Sequence, residues 1–248
     1  MSINTLVGRF GGFAGTGAGG KLINITSAPP AVSTPYVVDF ETVSEYNMTA
    51  NTAGSFIVPG VWTFTVIGGS FNTNLEGVGG GGFGGGGSKA GDPAEAGYPG
   101  AATTFVGPGL SMTAGAGTGG AGSPGGTGSP GGGGSASGGD TNTPGNPAAG
   151  GGPGVAGSSG ATVAPSYFTP LGQNGAGQGG DAGQPDSPTG PPAPAGGGGG
   201  GGSGAYVSKN ETLIAGGTYT FTVGAEGNKP YPTPTSAANP GGVKITVI

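Results

Sequence analysis

The side chains that could carry a reaction are few and poorly spaced for it. Histidine and cysteine are absent, which removes the usual general base, the thiolate nucleophile, thiolate metal sites and any disulfide framework. Eleven carboxylates and six cations remain. Asp92 and Glu95 share one stretch, and Asp181 and Asp186 lie near another. Acid–base catalysis by paired carboxylates needs two groups held with different proton affinities, whereas stretches this rich in Gly and Pro read as solvated turns. The glycine tracts at 79–87 and 196–204 resemble phosphate-cradling loops in composition alone: no Lys-Ser/Thr follows, and no strand–helix context surrounds them. Asn24-Ile25-Thr26, Asn47-Met48-Thr49 and Asn210-Glu211-Thr212 match glycosylation acceptors, as a Thr-rich chain does by chance. The residues point away from an enzyme, and no cofactor or metal is expected.

Composition excludes more. Glycine numbers 67 and proline 23 in 248 residues, with 7% charged and 32% hydrophobic side chains. A chain so rich in Gly and Pro ordinarily buries too little apolar surface to offset its ordering entropy, so disorder is the default. The net charge of only −5 lacks the excess typical of disordered chains. Arg9 is the single arginine, and mild acidity argues against a nucleic-acid partner, because phosphate binding needs clustered cations. No apolar run approaches the roughly 20 residues of a membrane span, so membrane insertion is not expected. The opening MSINTLVGRF lacks an apolar run of signal-peptide length, which implies synthesis in a cytoplasm or export by a route the sequence does not show.

Three zones follow from these counts. Most glycines fall within 77–204, and apolar residues cluster towards the ends of the chain. In the first zone, runs at 35–40 and 55–58 are enriched in β-branched and aromatic residues. After Pro59-Gly60, residues 61–67 alternate Val61/Thr63/Thr65/Ile67 against Trp62/Phe64/Val66, the period of a strand with Trp62 in a core. In the last zone, 205–209, 218–223 and 243–248 read as strands parted by Gly-Gly turns. No segment has a helical period.

The middle zone has a threefold pattern. Positions 119, 122, 125, 128, 131 and 134 are all glycine, as are 151, 154, 157 and 160, with a shorter run at 177, 180 and 183. The segments 88–99, 135–149, 161–171 and 184–195 hold the Pro, Asn, Asp and aromatic residues and read as loops between rods. A left-handed extended helix has three residues per turn, rises about 3.1 Å per residue and makes no internal hydrogen bonds. Glycine at every third position gives it one face without side chains, against which a neighbouring backbone can bond sideways. A rod surrounded on all sides tolerates no side chain, so the tracts at 79–82, 84–87 and 196–202 are expected inside a bundle and the period-three runs outside. Scaffold positions expected on this basis are Gly122, Gly125, Gly128, Gly131, Gly154, Gly157 and Gly199. Collagen would need one long unbroken register, and here the frame slips at Ala136. A disordered middle beside a small β-sandwich is the other alternative.

The stretch Phe56–Gly69, then Ala101–Val106, then 196–209, Thr218–Gly224 and the closing Gly241–Ile248 resembles the glycine-rich domain of bacteriophage tail and other virion proteins. The likeness covers about residues 54–248. Its glycine pattern is similar to that of the tail-fibre tip adhesins of T-even-like phages. The resemblance implies a mostly irregular and β fold with almost no α-helix, built on a bundle, or sandwich, of polyglycine II helices over 77–204. Flanking β-strands are expected at 55–69, 101–107 and 205–248. It implies a virion location after assembly in host cytoplasm, with residues 1–53 attaching to other virion proteins and the loops binding a host cell-surface receptor. Candidate receptor contacts are Tyr98, Pro99, Asn142, Asn146, Tyr167, Phe168 and Asp186; the aromatic rings have an equal claim to capping the ends of the rods. The competing role is purely structural, as a tail, baseplate or capsid-fibre subunit. A third class, ice binding by flat glycine arrays, is usually disulfide-stapled, which this chain cannot be. If loops alternate between bundle ends, 135–149 and 184–195 share one end, opposite 161–171.

Overall fold

The computed structural model describes residues 21–29, 36–39, 55–56, 59–88, 95–124, 126–152, 155–166, 177, 179, 197–227 and 238–248. Strands and extended irregular segments make up these residues, with almost no helix. The strands are β1 (Leu22–Ser27), β2 (Tyr36–Asp39), β3 (Ser55–Phe56), β4 (Gly60–Val66), β5 (Phe71–Val78), β6 (Gly87–Ser88) and β7 (Thr103–Gly107). They continue as β8 (Leu110–Ala114), β9 (Ser123–Pro124), β10 (Ala136–Ser137), β11 (Thr141–Thr143), β12 (Tyr206–Leu213), β13 (Thr218–Val223) and β14 (Gly242–Val247).

Period-two alternation builds two large sheets from these strands. A seven-stranded sheet runs β10-β8-β7-β13-β4-β1-β2, and a five-stranded sheet runs β11-β12-β5-β14-β3. The inward residues of both sheets join in one hydrophobic cluster: Ile23, Phe64, Phe105 and Phe221 come from the larger sheet, and Leu75, Val207 and Ile245 from the smaller. Ring packing orders its centre, with Phe221 at 4.5 Å from Phe105 and 5.0 Å from Phe64, both edge to face. Gly77 faces inward on β5 and leaves the space that the Phe105 ring fills. The β7–β8 hairpin turns on Pro108-Gly109, where Pro fixes the first corner and Gly109 takes φ 73° at the second, the requirement of a type II turn. Beyond the short β11, the edge of β12 carries Lys209 and Glu211, half-buried and paired at 2.7 Å, a charged edge that discourages further strand pairing.

Part of the segment 1–53 is built into this frame. β1 pairs with both β2 and β4, and Ile23 and Ile25 are buried in the common core. Residues 1–20 and 40–53 lie outside the described residues.

Candidate functional site

The strands run straight into the glycine-rich zone at one end of the two sheets. β5 continues as 79–86, β8 as 115–123, β11 as 144–152 and β13 as 224–227. In the other direction, 95–102 leads into β7, 126–135 into β10, 197–205 into β12 and 238–241 into β14. Sheet pairing therefore fixes the starting spacing and direction of each extended segment. The parallel pair β6–β9 joins two of them at the far end, with the Thr127–Gly197 bridge.

Backbone bonds between segments follow a three-residue rule. Gly79, Gly82 and Gly85 donate to the carbonyls of Ala205, Gly202 and Gly199 at 2.8–2.9 Å. The next residue of each triplet turns to another neighbour: Gly80, Phe83 and Gly86 donate to Ala101, Tyr98 and Glu95. Within 197–205 the amides of Gly199, Gly202 and Ala205 reach Ala121, Thr118 and Gly115, while those of Gly197, Gly200 and Ser203 reach Gly152, Ala149 and Asn146. Its carbonyls obey the same rule. Gly197, Gly200 and Ser203 accept from Gly128, Gly131 and Gly134, and Gly198 and Gly201 accept from Gly157 and Gly160. A β ladder changes bonding side at every residue and an α-helix bonds back to residue i−4; neither yields this repeat.

Side chains cannot enter the centre. A Cβ placed on any of Gly197 to Gly202 would lie within 3.0 Å of a carbonyl on an adjacent segment. Ser203 is accommodated because its Oγ accepts the Asn146 N–H at 2.8 Å. The uninterrupted tracts at 79–82 and 197–202 are buried, whereas in the period-three run Gly128, Gly131 and Gly134 are buried and Ser129, Pro130 and Gly132 exposed. Gly157 is buried too, and Gly122 is half-buried. Gly125 and Gly154 lie outside the described residues. Proline fits the outer segments where no bond is donated: Pro130, Pro144 and Pro147 each lie beside the donors Gly131, Gly145 and Ala148.

Three details of the sequence reading change. The run 119–134 folds back on itself: Gly115, Thr118 and Ala121 donate to Ser135, Gly132 and Ser129, and the Gly126 N–H bonds Ser123 Oγ at 3.1 Å. Glycine periodicity concealed this reversal because Ser, Pro and Gly also make turns. Residues 95–99 and 144–149, read as loop, belong to bonded segments that run on to 101 and 152. For that reason 135–143 and 161–164 share the sheet end, where Ala164 packs on Val78, instead of lying at opposite ends.

The proposed contact residues are dispersed. Tyr98 is 56% exposed on an outer segment, with exposed Pro99 beside it, and its carbonyl accepts from Phe83. Asn142 spends its amide on its own turn, accepting from the Gly139 N–H and donating to the Gly139 carbonyl at 3.1 and 2.7 Å. Asn146 donates through Nδ2 to Ala161 O at 3.0 Å. The segments 115–123 and 126–135 stand between Tyr98 and Asn146. Tyr167, Phe168 and Asp186, with Asp92 and Asp181, lie outside the described residues.

Sequence reasoning missed the junction between sheets and segments. Thr103, fully buried, donates to Val78 O at 2.6 Å and accepts the Gly224 N–H at 3.0 Å, tying three strand ends where the extended segments begin. Glu76, buried on β5 two residues before Val78, accepts from Tyr206 OH at 2.6 Å and pairs with Lys244 at 3.4 Å. Among the described residues no three metal-ligating side chains cluster, and no helix is long and apolar enough to cross a membrane. Comparison with protein-family models, curated proteins and solved structures finds no match.

Proposed function

We propose that the chain is a virion protein, a tail-fibre tip adhesin, in which a bundle of polyglycine II helices on a two-sheet β base holds loops against a host cell-surface receptor. The observation that carries this reading is the common origin of the segments. They leave the sheets at one end and bond laterally every third residue, so they form a stiff stalk whose far end is separate from the base. Binding residues are commonly carried on loops positioned by such a rigid scaffold. The purified protein should bind host cells and compete with phage adsorption; absence of both would sink the adhesin role while leaving the scaffold intact.

A purely structural virion subunit is the second reading, favoured by one observation. Asn142 and Asn146 use their amides to hold the fold, which leaves them fewer groups for a receptor. Locating the chain in the particle away from a distal tip would decide for this reading.

A further inference from the structure

Where the larger sheet is formed by β8, β7, β13, β4 and β1, its outward face is a grid of mostly short, uncharged side chains. Strand register places Thr113, Thr104, Thr222 and Val61 in one row across β8, β7, β13 and β4. Ser111, Val106, Thr220 and Thr63 form the next, and Thr218, Thr65 and Asn24 a third. Rows recur about every 6.8 Å along the strands, with neighbours about 4.8 Å apart within a row. Hydroxyl pairs hold part of the grid in fixed rotamers: Thr63 with Thr220 at 3.3 Å and Thr65 with Thr218 at 3.2 Å. Three large apolar side chains stand exposed on this face, Val61, Ile67 and Val106, at 49–55%. None of the described outward positions on β1, β4, β7, β8 and β13 is charged.

We propose that this face is the interface of a twofold dimer, its partner a second copy of the same chain. A threonine hydroxyl both donates and accepts, so a threonine grid complements its own image under a twofold axis. A charged partner would instead have its charges desolvated against groups that cannot neutralise them. Interface cores are depleted in charge, as this face is. Five strands about 4.8 Å apart and about 20 Å long span roughly 500 Å² in projection, and more as accessible area. That approaches the roughly 800 Å² per partner of a standard interface and implies a dimer of moderate affinity. Stacked sheets lie about 10 Å apart, a distance that short β-branched side chains fill. This inference does not depend on the adhesin role.

Sedimentation velocity on the full chain over a hundredfold concentration range tests it. The wild type should pass from monomer to dimer. Thr220→Lys and Val106→Lys each set like charges against each other across the axis and should weaken dimerisation roughly tenfold or more, with unchanged urea midpoints showing that the fold is kept. Asn210→Lys, on the outer side of the other sheet, should leave dimerisation within about twofold of wild type. Because the chain has no cysteine, Thr63→Cys provides one pyrene site, and excimer emission should rise with the dimer. A wild type that stays monomeric overturns the proposal. So does a dimer that survives both lysine substitutions or gives no excimer.

Discussion

Replacing Gly199 by alanine tests whether the buried tract is glycine for want of space. The added methyl would meet Ser129 O, Ser129 C and Pro130 N, all backbone atoms of one neighbouring segment. That segment cannot retreat without stretching the Gly128–Gly197 and Gly131–Gly200 bonds, both 2.8–2.9 Å. Overpacking of this kind costs about 1–3 kcal/mol, and two weakened bonds add about 2 kcal/mol at a net value near 1 each. Against this, alanine lowers the entropy of the unfolded chain, a gain of about 0.4–1 kcal/mol. The net expectation is a loss of about 2–4 kcal/mol, a large share of a total stability of about 5–15 kcal/mol. Gly132→Ala is the matched control. It is exposed, and its nearest contact would be Thr118 Oγ1 at 3.5 Å, an ordinary separation, so only the unfolded-state term remains and the protein should gain about 0.4–1 kcal/mol. Urea unfolding with an unchanged m-value measures both. Equal shifts for the two variants, of either sign, would refute the steric argument.

Other substitutions probe the base on which the segments stand. Thr103→Val keeps the shape but strands the Val78 carbonyl and the Gly224 amide, and should cost about 2–4 kcal/mol in urea unfolding; a loss under about 0.5 kcal/mol would show that neither bond matters. Glu76→Leu takes the carboxylate from both Lys244 and the Tyr206 hydroxyl and should destabilise by about 2–4 kcal/mol, while the double change with Lys244→Met should recover the ion-pair part of that loss and leave the hydroxyl part. Additive losses in that cycle would argue against coupling. Phe221→Ala removes the ring between Phe64 and Phe105 and should cost about 3–5 kcal/mol, lowering the thermal midpoint.

The legible parts of the sequence were those in which one residue type admits a single environment. Alternation around Trp62 fixed β4, and unbroken glycine marked the buried tracts, because only a residue without Cβ fits there. β5 was missed although Phe71, Thr73 and Leu75 alternate with Asn72 and Asn74, since asparagine is a weak strand former outside a paired ladder. Here the ladder exists: Asn74 Nδ2 donates to Asn210 Oδ1 at 3.0 Å. β1 and β8 were also overlooked, being short runs whose inward residues acquire meaning only once both sheets are assembled. Residues 95–99 and 144–149 resemble loops in their prolines and Tyr98. An outer segment that bonds sideways every third residue needs donors at only some of its positions, so proline at the others is no signal of a break. The dispersed contact residues were inferred from residue type, which says nothing of whether an amide is already engaged, as those of Asn142 and Asn146 are.

The lateral bonding of the glycine segments can be measured bond by bond through nuclear spin couplings transmitted across hydrogen bonds. Couplings are expected from the amide nitrogens of Gly82, Gly131 and Gly202 to the carbonyl carbons of Gly202, Gly200 and Thr118, with the same partner segment recurring every third residue. Couplings that recur every second residue, that fall within one segment, or that are missing while the strand couplings are strong would contradict this lateral bonding.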